Sequence, residues 1–303
     1  MTPLSQLILD KYQMRKTTKQ KNAFISLMQE HFPDLKIQEG GFPKCRNLIV
    51  GNVEQAKVVL TAHYDTCAQL FVPNFITPKN PILSVLYGVI LVIPMLIAVF
   101  LLNLLLNLLT DNYWGHYIMS LCVYFIFLIS MIVGPPNKHT VNDNTSGVIT
   151  LCELLGTLTL EERNKAAFVF FDHEETGLIG SAYFRKEYKK EMASKLLINF
   201  DCVSDGDYIL VAANKAARTD MGSLLDDSFQ PDNGKTILQT KAENTYYPSD
   251  QVGFKKSVSV AALHRNRYVG YYMSKIHTAK DTVMDKENIK LLCDCILRLL
   301  KQL

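Results

Sequence analysis

The 303-residue sequence has no strong charge imbalance: 32 Lys and Arg stand against 29 Asp and Glu, a formal net charge of +3. That balance gives no electrostatic case for a nucleic-acid partner. Internal repeats and low-complexity linkers are missing too, so neither a solenoid nor a string of tethered modules is expected. The seven cysteines lack the paired short spacings of a zinc finger, and their odd number points to free thiols in a reducing compartment. Asp10 and a dense set of Lys and Arg interrupt the first residues before any apolar run reaches signal-peptide length, so no cleavable secretion signal is expected.

Charge is absent altogether from two long stretches. Neither Ile82 to Leu109 nor Tyr113 to Gly134 contains Asp, Glu, Lys or Arg. A helix needs about 20 apolar residues to cross a bilayer, so both runs are long enough. The connection Thr110-Asp111-Asn112 supplies a polar turn, and Tyr113, Trp114 and Tyr117 supply aromatics suited to a membrane interface. The alternative is a helical hairpin buried against the domain or a partner subunit. Lipid is the expected partner of 82–109 and 113–134. Lys79 before the first run and Lys138 after the second, against a turn with no Lys or Arg, predict that the remainder of the chain faces the cytoplasm.

Outside that insert the sequence has the charge density of an ordinary soluble protein, and the 48% apolar content suffices for a substantial core. Residues 3 to 31 carry apolar positions at helical spacing. Strands are expected at Leu35–Ile37, Asn47–Val50, Lys57–Thr61, Ala166–Phe171, Leu196–Phe200 and Val258–Leu263, and helices at Gly147–Leu158, Gly180–Glu191 and Glu287–Leu303. Such alternation predicts an α/β fold: a mainly parallel central sheet flanked by helices, with functional groups just beyond the carboxyl ends of the strands. The domain would run through 1–80 and resume at 135–303, interrupted by the 81–134 hairpin.

Five short segments carry metal-binding side chains at those places. His63-Tyr64-Asp65 follows the strand KVVL, with His63 a candidate ligand and Asp65 placed to hold its ring; taken alone it equally suits a hydrogen-bonded structural histidine. Asn142-Asp143-Asn144 precedes a helix, where Asp143 fits a metal bridge or a plain capping cluster. In Asp172-His173-Glu174-Glu175 an apolar strand ends in four ionisable residues, a crowding that costs stability unless a cation or proton compensates; a solvated loop is the alternative. Asn199-Phe200-Asp201 and Ile276-His277-Thr278 complete the set. Two His, two Asp and a Glu, with a spare Glu beside it, supply what a pair of zinc ions requires: nitrogen and oxygen ligands, a bridging carboxylate and a base.

The ordered set HYD, NDN-SG, HEETGLIGS, NFD and IHTAKDT resembles the M28 family of zinc metallo-aminopeptidases from His63 to Thr282. The resemblance implies that His63 and Glu175 bind one zinc, Asp201 and His277 the other, that Asp143 bridges them and that Glu174 is the general base. It also implies a cis Asp143–Asn144 bond, a peptide substrate and hydrolysis of the bond after the amino-terminal residue. The chain departs from the family at Ser249-Asp250-Gln251, where many relatives carry His in place of Gln251; Tyr246, Tyr247 and His264 are candidates to replace it at the substrate. Three other readings stay open: a glutaminyl-cyclase-like transferase using one zinc, a carboxypeptidase or dipeptidase, and a non-catalytic membrane scaffold. Oligomeric state is not legible.

Overall fold

The computed structural model describes residues 1–70, 72, 74–232 and 234–303. Its first layer is made by α1 (Pro3–Lys11) and α2 (Thr18–His31), the latter opened by a reciprocal Thr17–Gln20 capping box. Three strands follow, β1 (Lys36–Gly40), β2 (Cys45–Val50) and β3 (Val58–His63). Then come α3 (Pro81–Asn107), α4 (Tyr113–Val133), α5 (Ser146–Thr157), α6 (Leu160–Asn164) and β4 (Ala166–Phe171). The chain continues through α7 (Ile179–Glu187), β5 (Leu196–Phe200), β6 (Tyr208–Ala213), α8 (Lys215–Ser228) and β7 (Thr236–Lys241). It ends with β8 (Ser257–Asn266), β9 (Gly270–Tyr272) and α9 (Lys286–Gln302).

The strands form one sheet in the order β1-β2-β4-β3-β5-β8-β6-β7, with β9 paired to β8. Its centre, β4-β3-β5-β8, is parallel, as the alternation of strands and helices predicts, whereas β1, β2 and β6 join by antiparallel pairing. Every residue of β3, β4 and β5 is buried, because helices cover both faces. Val58, Leu60, Phe168 and Phe170 point into the larger apolar layer, which also receives Ile289, Leu292, Ile296 and Leu299 of α9. Those α9 positions recur at helical spacing, and each buried side chain contributes about 1.5–3 kcal/mol. The alternate residues Val59, Val169 and Phe171 face a second layer with Phe184 of α7. The sequence reading did not place β6, α8 or β7.

The insert is a pair of helices, α3 and α4, joined by residues 108–112. Among the described residues only α3 is long and apolar enough to cross a membrane, and none of it is buried. The shorter apolar stretch Tyr113–Ile129 of α4 does not meet that length, so the second crossing read from the sequence is not shown. Polar groups stitch the pair together: Asn103 Nδ2 donates to Ser120 Oγ at 3.0 Å, and Asn103 Oδ1 lies 2.9 Å from His116 Nδ1.

Candidate metal centre

Parallel strands that end side by side deliver their next residues to one place. His63 is the last residue of β3, Asp172 to Glu175 follow β4, and Asp201 follows β5. Asp143 arrives from the loop before α5, whose backbone runs against β5 so closely that a Cβ on Gly147 would lie 2.4 Å from the Phe200 carbonyl oxygen. The Asp143–Asn144 peptide is cis, as the family resemblance implies.

Asp143 sits between two imidazoles, its Oδ1 3.3 Å from His63 Nε2 and its Oδ2 3.0 Å from His277 Nε2. His63 Nε2 is also 3.5 Å from Asp201 Oδ1, and His277 Nε2 is 3.3 Å from Glu175 Oε2. The shortest contacts therefore pair His63 with Asp201 and His277 with Glu175 across Asp143. The resemblance implies the other pairing, Glu175 with His63 and Asp201 with His277, and the ligand atoms of His63, Asp143 and Glu175 also lie within 4.8 Å of one another. Sequence order does not choose between the arrangements, because β3 has β4 on one side and β5 on the other.

The His63 ring is oriented by its other nitrogen, Nδ1, which donates to the Asp65 carbonyl at 3.1 Å, leaving Nε2 to face the carboxylates. The Asp65 side chain stands beside the same nitrogen, but its hydrogen bonds go elsewhere. Its Oδ1 is 3.7 Å from Nδ1, and its two oxygens accept the backbone N–H groups of Glu174 at 3.0 Å and Glu175 at 3.3 Å. Asp65 is a positioning residue for both glutamates. Asp172, first of the four ionisable residues, is occupied elsewhere in a buried pair with Lys21.

Burial and mutual repulsion shape the charges. Burial raises the Glu174 carboxyl well above the ordinary range and that of Glu175 to about 8. Burial opposes charge on the imidazoles, but Glu175 and Asp143 outweigh it and raise His277 to about 9. For His63, the nearby carboxylates of Glu174, Asp143 and Asp201 likewise outweigh burial. Glu175 Oε1 and Asp201 Oδ1 are buried without a hydrogen-bond partner, although such oxygens are costly unless satisfied. Two nitrogen donors, three carboxylates and two orphaned oxygens fit zinc.

The centre opens into a cavity of about 150 Å³ whose wall includes Ile76, Glu174, Tyr247 and Pro248. Tyr247 donates its hydroxyl to the Asp201 carbonyl at 3.1 Å. Gln251 is turned away, its Nε2 donating to the Tyr247 carbonyl at 2.6 Å and its Oε1 accepting from Asn199 at 3.2 Å. His264 is bonded to Asp205 at 2.9 Å, and Tyr246 lines a neighbouring pocket. Of the three candidates to replace an imidazole at Gln251, only Tyr247 reaches the cavity wall. Asp281, missed from the sequence, accepts the backbone N–H of Asn142 at 2.7 Å and of Asp143 at 3.0 Å. Its one sequence signal is its place in the same short segment as His277.

Comparison with known proteins agrees with this layout. Residues 129–300 match the sequence model of the family described as peptidase family M28. The fold is similar to a Zn-dependent exopeptidase from Parabacteroides distasonis, at 13% identity and TM-score 0.57, over 98% of this chain and 94% of that one. It is equally similar to the glutaminyl cyclase of Porphyromonas gingivalis, at 14% identity and TM-score 0.57, over 99% and 96%. The LapA aminopeptidase of Legionella pneumophila follows at 11% identity and TM-score 0.56, over 99% and 67%. At these identities the likeness is one of fold. No curated protein matches the sequence.

Proposed function

The chain belongs to peptidase family M28, and from that premise we propose that it is a two-zinc aminopeptidase held to a membrane by the α3–α4 hairpin. The observation that carries the reading is Asp143 with one oxygen toward each imidazole, flanked by the orphaned oxygens of Asp201 and Glu175. His63 and Asp201 would hold one ion, His277 and Glu175 the other, and Asp143 both. When bound, zinc supplies Lewis acidity, lowering the pKa of water and polarising a carbonyl oxygen.

Glu174 does the proton work. Asp65 fixes its backbone, and burial favours the protonated carboxyl, so Glu174 takes a proton from the attacking water and holds it for the leaving amine. Glu175 is turned toward His277, whereas the Glu174 carboxylate lies beside His63 and Asp201, and the family resemblance gives it the role of base rather than ligand. The wall of the catalytic cavity includes four carboxylates and, among the described residues, no Lys or Arg. With zinc bound the ions offset the three ligand carboxylates, and among the described residues the wall offers Glu174 to a free amino terminus but no cation to a carboxy-terminal carboxylate. At about 150 Å³ the cavity admits roughly one side chain, the volume that holds a benzene ring elsewhere.

The hairpin reading rests on the unburied length of α3 and on α4, whose 21 residues span about 31 Å against a hydrocarbon core of about 30 Å. Two crossings return the chain to its starting side, and Lys79 and Lys138 at the base favour the cytoplasm for the catalytic part. Detergent-purified protein assayed on aminoacyl and peptide fluorogenic substrates, with zinc measured on the same sample, tests the function. Release of the amino-terminal residue with two ions per chain is expected. Cyclisation of an amino-terminal Gln with one ion would replace this reading by the transferase, and two bound ions with no turnover by the scaffold.

A further inference from the structure

Both ends of the hairpin are rooted in the walls of the metal centre. On the way in, the Leu70 N–H donates to the carbonyl of His277 at 2.8 Å and the Asn74 N–H to that of Ile276 at 3.3 Å. Ile76 then pairs with Met273 and lines the catalytic cavity, only a short step before Asn80 caps α3. On the way out, Ile132 in the last turn of α4 lines a second cavity of about 220 Å³ together with Glu175, His277 and Lys16. Lys16 also donates to the Ile132 carbonyl. The base is closed by Gln69, whose N–H donates to the Pro135 carbonyl at 2.8 Å.

These contacts fix the height of the centre relative to the bilayer. At about 31 Å, α4 spans a core of about 30 Å only if its whole length lies inside, which puts Ile132 at the membrane interface. The cavity shared by Ile132, Glu175 and His277 then lies at headgroup level. It lies next to the catalytic cavity, with Glu175 and His277 lining both.

We propose that the substrate is a peptide anchored in the same bilayer, with its free amino terminus only a few residues beyond the membrane surface. The terminal residue occupies the catalytic cavity, and the chain beyond the scissile bond runs through the Lys16–Ile132 cavity to the interface. This rests on the membrane-held peptidase reading above.

The test uses the full zinc-loaded chain reconstituted in phosphatidylcholine vesicles with three peptides that share one amino-terminal reporter sequence. One peptide is soluble, and two are joined to a Leu–Ala transmembrane helix by spacers of about three and about 20 residues, extended reaches of about 10 and 70 Å. The anchored pair have equal surface concentrations, so their difference reads the height of the site. The short-spacer peptide is expected to be cleaved at least as fast as the long-spacer one, and both about tenfold or more faster than the soluble peptide. Resistance of the short-spacer peptide while the long-spacer one is cut, or no preference for anchored over soluble peptide, overturns the inference and leaves the peptidase standing. Failure to cut any of the three overturns the peptidase reading and this inference together. Flotation that leaves the protein away from the vesicles removes the membrane reading, and the inference with it.

Discussion

Asp281 accepts the backbone N–H of Asp143 at 3.0 Å, across a sequence separation of 138 residues. Its other oxygen accepts the N–H of Asn142, so one carboxylate from the His277 segment sets the backbone of Asp143. Asp281→Asn would turn one acceptor into a donor facing an N–H. Zinc affinity is expected to fall about 10–100-fold, as when other outer partners of a metal site are lost. Chelator competition measures it, with circular dichroism to verify the fold; unchanged affinity would show that the loop holds its shape unaided.

The pairing across Asp143 has its own signature. His63→Ala and Asp201→Ala should release the same ion, so the double variant loses little more than either single one, whereas His63→Ala with Glu175→Ala should release both. Asp143→Ala should be the most damaging single change. Zinc counts on the purified variants decide, and two ions retained in Asp143→Ala would rule out the bridge.

Buried Asp205 receives His264 at 2.9 Å and Lys275 at 2.9 Å. Burial alone would raise its carboxyl, but these partners outweigh it and hold the pKa below the ordinary value. A depressed folded pKa contributes stability that is present above the unfolded value, about 3.9, and lost as pH falls through the folded one. Asp205→Asn is therefore expected to lower the thermal midpoint at pH 7, with the difference from wild type shrinking toward pH 3. A constant difference at both pH values would assign the effect to packing.

Membrane topology is read by labelling. With the native cysteines replaced, Asn112→Cys in the helix connection should react with an impermeant thiol reagent in intact cells, and Asp232→Cys in the catalytic part should not. The reverse pattern inverts the orientation. Labelling of both only after detergent would indicate a buried hairpin.

Much of the centre was legible because chemistry follows strand ends. His63 ends the buried strand β3, Asp201 follows buried β5 directly and Glu174 and Glu175 follow buried β4 after Asp172-His173, and a parallel sheet gathers such ends. The pairing of ligands was hidden, since it depends on which strands flank β3. Asp65 and Asp281 act through backbone N–H groups, which no side-chain pattern reports. The unassigned stretch has local reasons as well. TILQTK of β7 is an edge strand with exposed positions, α8 is kinked at Met221, and YILVAA of β6 is too short an apolar run to separate strand from helix by period. The hairpin could be seen because charge is absent from it, and among the described residues α3 alone is both long and apolar enough to cross a membrane.

The central claim is that Glu174 moves the proton while five other residues hold the metal. Zinc content and turnover measured on one preparation of Glu174→Gln test it most directly. Both ions should remain and kcat should fall by about 10²–10⁴-fold, the range for a positioned acid–base group. Loss of zinc from that variant, or activity close to wild type, would contradict the assignment of the two glutamates.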